Sequence, residues 1–101
     1  MILYNVTINI DKAVQKDWLQ WMQKEHIPAV MATGLFVEHK LLRLLTEEAN
    51  TDFTYAIQYF LKSQADLATY QAQYAPDLQK AHQERYKDRF VAFRSVLEVI
   101  E

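Results

Sequence analysis

Cysteine is absent from the 101 residues, glycine occurs once and proline twice. Without a thiol the chain can form no disulfide, hold no metal through thiolate and offer no cysteine nucleophile, a composition that fits a reducing, cytoplasmic setting. A single glycine, Gly34, excludes the glycine-rich loops that cradle phosphate in P-loop and dinucleotide-binding folds. So few glycines and prolines also leave little chain for linkers, so residues 1–101 are expected to form one domain. Neither sign of charge dominates: 11 Lys and Arg face 13 Asp and Glu, a net charge of −2 that gives no bulk attraction to nucleic acid or anionic membrane. The least polar run, Ile27 to Val37, is shorter than the roughly 18 apolar residues a bilayer span requires. The start, MILYNVTINID, has neither a basic opening nor a small-residue cleavage site and reads as mature protein.

What is present is core material. Half the residues are hydrophobic and 13 % are aromatic. Ile2, Tyr4, Val6, Ile8 and Ile10 alternate with Leu3, Asn5, Thr7 and Asn9, the period of a strand with two different faces. Asp11 is placed to cap a helix along which Val14, Trp18, Trp21, Met22 and Glu25 share one stripe. Pro28 interrupts it: the residue before a proline is driven from the helical region, so Ile27 is expected to be extended and the helix to end near His26. A short second helix follows to Thr33, with Gly34 at its left-handed stop. Strands are expected over Leu35 to Leu45, Phe53 to Leu61 and Phe90 to Ile100, with a loop at Thr46 to Asp52. Ser63 and Asp66 resemble a capping box that opens a long helical stripe through Tyr70, Tyr74, Leu78 and His82, interrupted at Pro76. The order strand, helix, strand, strand, helix, strand, with an X-Pro break in each half, describes an α+β ferredoxin-like βαββαβ sandwich. Its antiparallel four-stranded sheet has strands one and three central and both helices on one face.

Two helices cover one face of such a sheet. The other face would carry Leu3, Asn5, Thr7, Asn9, Thr54, Ala56, Gln58 and Phe60, with Phe36, Leu42, Leu44 and Phe93 or Val96 from the outer strands. An exposed apolar surface of that kind marks an interface or a ligand site. Two copies packed sheet to sheet would bury it around a shared cavity.

The runs MILYNVTINI, WLQWMQKEHIPAVMATGLF, TYAIQYF and RFVAFRSVLEVI resemble a family of small uncharacterised bacterial proteins in the dimeric α/β-barrel superfamily, over essentially the whole chain. The resemblance implies the ferredoxin-like fold and homodimerisation through the sheets, and no activity. Related groups in the superfamily include cofactor-free monooxygenases and haem-degrading enzymes. The latter use a His on the second helix, an Asn on the first strand and a Trp, which would fall on His82 and Asn5, although Trp18 and Trp21 both stand on the first helix here.

His26 stands at a helix end beside a chain break, where an imidazole can serve as a base near neutral pH or cap orphan carbonyls. It is the one candidate catalytic residue. Arg94 lies mid-strand among apolar residues, so it needs an anionic partner: Glu98 on the same strand, an acid of a partner chain, or a ligand carboxylate. The three histidines have no metal-ligand spacing, so no metal site and no cofactor is expected. The aromatics of Phe53 to Tyr59 resemble the base-stacking strand of RNA-recognition motifs. Thr51 and Asp52 replace the basic start such motifs carry, so nucleic-acid binding is not expected. The expectation is therefore a homodimer that binds, or binds and transforms, a small partly apolar molecule in a cavity lined by Asn5, Thr7, Gln58 and Arg94, with His26 at an entrance. The alternative is a non-catalytic dimerisation module with a filled cavity.

Overall fold

The alternation at the start of the chain becomes β1 (Ile2–Ile10), in which Ile2, Tyr4, Val6, Ile8 and Ile10 are buried while the residues between them are only half-buried. The computed structural model describes residues 1–46 and 52–101. β1 pairs antiparallel with β3 (Phe53–Leu61) on one side and β4 (Phe90–Glu98) on the other, and β2 (Glu38–Arg43) pairs with β3, giving the order β2-β3-β1-β4. The register sets Tyr4 opposite Tyr59 and Val96, and Asn5 opposite Gln58 and Ser95. The sheet is therefore the antiparallel ferredoxin-like sheet expected, with strands one and three central.

The helix-side face of the sheet meets two interrupted helices. In the first half α1 (Gln15–Trp21) runs into a π-helical turn, Met22–His26, and then into α2 (Ile27–Met31). Asp11 caps the turn before α1 rather than α1 itself: its carboxylate accepts from the Ala13 N–H at 2.8 Å and from Arg89 Nη1 at 2.7 Å. The expectation of an extended Ile27 is overturned, since Ile27 is helical at φ −61°, ψ −44° and donates its N–H to the Met22 carbonyl five residues back. The wider π turn is how the chain accommodates Pro28, which lacks the N–H an α-helical ladder needs and whose ring crowds the carbonyl four residues earlier. The extra residue in that turn also shifts the buried stripe. Glu25, expected on it, is exposed, whereas His26 and Ile27 turn inward. Gly34 ends the segment at φ +79°.

The second half repeats the device with ordinary helices. Ser63 Oγ accepts from the Asp66 N–H at 3.1 Å and opens α3 (Gln64–Gln73). Tyr74, at φ −121°, breaks the run before Pro76 starts α4 (Ala75–Arg85). Trp18, Met22, Ile27 and Val30 from the first half and Leu67, Tyr70 and Tyr86 from the second close over Tyr4, Ile8, Ile10, Tyr55, Ile57, Tyr59 and Leu61. β2 and β4 are shorter than expected, and the expected loop at Thr46 to Asp52 lies mostly outside the described residues. Phe36 is also corrected. It precedes β2 and turns into the core against Tyr59 and Tyr70, at 5.2 and 4.8 Å between ring centres, instead of lying on the uncovered face. Among the described residues no helix is long and apolar enough to cross a membrane.

Candidate functional site

The five residues expected to line one cavity fall on opposite sides of the sheet. Asn5, Thr7 and Gln58 stand on the uncovered face, where Asn5 Nδ2 donates to Thr7 Oγ1 at 3.0 Å. Arg94 pairs with Val6 and so shares the helix-side parity, and His26 lies beneath the helices. The grouping of Arg94 with Asn5 is thus corrected by strand register: side chains alternate with period two, so a residue paired with Val6 cannot share a face with Asn5. The same geometry separates Asn5 from His82, so the Asn–His–Trp arrangement that haem-degrading enzymes use is not assembled from these residues. Tyr55 and Tyr59, the aromatics that resemble a base-stacking strand, are buried under the helices.

His26 and Arg94 instead meet residues that were not expected in the same cavity. They line a hollow of about 30 Å³ with Tyr4, Tyr70, Gln79 and His82, small but roomy enough to admit water. Both helix breaks serve this place. The π turn brings in His26, and the restart after Pro76 presents Gln79 and His82 from consecutive turns of α4. π-helical turns recur at functional sites because they redirect one side chain without ending the helix. Gln79, His82 and Arg94, with Phe90 and Ala92, also form the wall of an open groove of about 490 Å³ that runs out to Pro76, Lys80 and Gln83.

His82 is 6 % exposed, the one polar residue among the buried described residues. Trp18 Nε1 donates to His82 Nε2 at 2.9 Å, which requires that nitrogen to be unprotonated and places the ring proton on Nδ1. Trp21 stacks on His26 with ring centres 4.9 Å apart, Phe90 meets His82 edge-on at 4.3 Å, and the two imidazoles lie 5.7 Å apart. Burial in this aromatic surround lowers both histidines from 6.5 to about 4; the Arg94 charge adds to the effect on each, and His26 adds to it for His82. Both rings are therefore neutral at physiological pH. Burial raises the Tyr4 hydroxyl, an effect that the adjacent Arg94 and Gln79 oppose, and burial likewise raises Tyr70.

Arg94 is exposed, and among the described residues it has no carboxylate partner. The Glu98 pairing is absent. Lys80–Glu84, Arg85–Asp17 and Arg89–Asp11 are ion pairs, and none of them includes Arg94. Arg85 and Arg89 of the basic RYKDR run tie the end of α4 to the start of the first helical half. The signal for His82 was present in the sequence, as a histidine on the stripe of Tyr70 and Leu78. Tyr4 and Gln79 carried none, because each looks like an ordinary strand or helix residue until the layers are stacked.

A four-stranded antiparallel sheet with helices on one face and paired helix breaks defines a ferredoxin-like α+β protein. The chain belongs to the DUF4286 family, a domain of unknown function whose model matches residues 1–100. Among solved structures it is similar to a dimeric ferredoxin-like protein from an uncultured marine organism, at 12 % identity over 99 % of this chain and 95 % of that chain, TM-score 0.78. It is also similar to HapK from Hahella chejuensis, at 14 % identity over 99 % and 93 %, TM-score 0.73. A third is SnoaB, a cofactor-independent oxygenase from Streptomyces nogalater, at 13 % identity over 99 % and 93 %, TM-score 0.70. At these identities the likeness is one of fold. No curated protein matches the sequence significantly.

Proposed function

We propose that the chain forms a homodimer through its uncovered sheet face and that each subunit binds a small, partly apolar molecule in the hollow and groove beneath the helices. The dimer reading is supported by the side chains left on that face. Val91, Phe93 and Leu97 of β4 are 69, 64 and 47 % exposed and adjoin Leu42 through the half-buried row of β1 and β3. Such a patch is costly to leave in water. A dimeric ferredoxin-like protein stands among the similar folds.

One observation carries the binding reading. An arginine without a carboxylate partner among the described residues and two neutral imidazoles converge at a narrow, largely apolar hollow that adjoins a groove where Pro76, Phe90 and Ala92 lie among polar side chains. Pockets with a few convergent polar groups on an apolar lining are the usual form of small-molecule sites. The alternative of a filled, non-catalytic module keeps support from the aromatic packing around the imidazoles.

Two measurements test the proposal. Light scattering should give about twice the 12.0 kDa chain mass, and Phe93→Glu should halve it with the helical circular dichroism intact; a lone chain at high concentration ends the dimer reading. The indole N–H resonances of Trp18 and Trp21, which adjoin His82 and His26, should shift saturably with at least one member of a panel of neutral and charged aromatic fragments. If no fragment of any charge moves them, the pocket reading is refuted.

A further inference from the structure

Resting on the pocket reading, we infer that the ligand is an organic monoanion with a flat apolar body, its carboxylate held by Arg94 and Gln79 at the mouth of the hollow and its body lying along Phe90 and Ala92 in the groove. The sizes of the two spaces set this division. The hollow, at about 30 Å³, has room at its mouth for a small terminal group only, while the groove outside it, at about 490 Å³, has room for a ring. Gln79, His82, Phe90, Ala92 and Arg94 border both spaces, so a molecule lying in the groove can place one end in the hollow.

The charge of that end follows from the groups that face it. Arg94 supplies a fixed positive charge with a planar fork of N–H donors suited to a carboxylate. Gln79 adds an amide donor beside the Tyr4 hydroxyl. His82 has its Nε2 occupied by Trp18, which leaves only an N–H on the other nitrogen. Among the described residues no carboxylate lines the hollow or the groove, so the guanidinium, which meets the Tyr4 hydroxyl, has no anion to satisfy it there. A cationic ligand would meet Arg94 without a counter-charge. A neutral one would cover part of the guanidinium, now open to water, without supplying the counter-charge that offsets its desolvation. The flat body follows from the walls: the Phe90 ring, the Ala92 methyl and the Pro76 ring offer apolar contact without depth.

Trans-cinnamate and its neutral isostere cinnamamide separate this inference from the pocket reading itself. Titrated into the full chain, cinnamate should shift the Trp18 and Trp21 indole resonances saturably, with an affinity at least tenfold above that of cinnamamide. Arg94→Gln should lower the cinnamate affinity at least tenfold and leave cinnamamide unchanged, and Arg94→Lys should restore part of the loss. Equal affinities for the two probes on the wild-type chain, a comparison that needs no variant to fold, overturn the anionic assignment while the pocket reading stands. So does undiminished cinnamate binding by Arg94→Gln. Resonances indifferent to both probes overturn it too, and whether the pocket reading also falls is then decided by the wider fragment panel.

Discussion

Lowering the pH from 7.5 to 5.0 should destabilise this protein through its two buried imidazoles. Each is lowered from 6.5 to about 4 in the folded state, so between those values the unfolded chain binds protons that the folded chain refuses. The sign is fixed by that inequality: stability is complete above about 6.5 and is lost as the pH falls toward 4. For His82, with 6 % exposure, the two pKa values give a loss of about 2 kcal/mol at pH 5.0. Half-buried His26 adds a solvent-screened fraction of the same amount, for ~3 kcal/mol in all, a large part of the ~5–15 kcal/mol that holds a small domain folded. The assay is urea unfolding at pH 7.5, 6.0 and 5.0, at one protein concentration because association would otherwise shift the midpoint. His82→Gln removes one titrating ring and keeps a carbonyl oxygen able to accept the Trp18 N–H, so its loss over the same range should shrink to ~1 kcal/mol. The lowered carboxyl of Asp11 acts only below its ordinary 3.8 and stays outside this window. A wild-type stability that is flat between pH 7.5 and 5.0, or a variant as pH-sensitive as the wild type, would refute the reasoning.

Gly34→Ala should cost about 1–2 kcal/mol from left-handed backbone alone, because a methyl group there meets nothing within 4 Å; a neutral result in thermal unfolding would show that the turn relaxes. Ser63→Ala should cost about 1 kcal/mol, since it removes the acceptor of the Asp66 N–H, and Ser63→Asp should recover most of it in the same assay.

Much of the fold was legible because burial on one side writes a period into the chain. The alternation Ile2 to Ile10 and Phe53 to Leu61 predicted strands with the observed bounds, and the serine cap and the glycine stop stood where the structure has them. The first helix was misread at one point. The disfavour of the helical region before proline is a preference and not a prohibition, and Ile27 keeps α-helical dihedrals where the π turn at Met22–His26 leads into α2. That turn is also what aims His26 inward, so the same local departure concealed part of the site.

Sequence alone determined which residues share a face within each element, because side-chain direction repeats every two residues in a strand and about every 3.6 in a helix. It could not determine which face of β4 lies under the helices. That depends on the pairing of Val6 with Arg94 rather than with Phe93, and a slip of one residue exchanges the two faces. Tertiary packing made that choice by burying Tyr4, Val6 and Ile8 against the helices. It thereby moved Arg94 away from Asn5 and set it beside two histidines that lie 56 positions apart in sequence, His26 and His82.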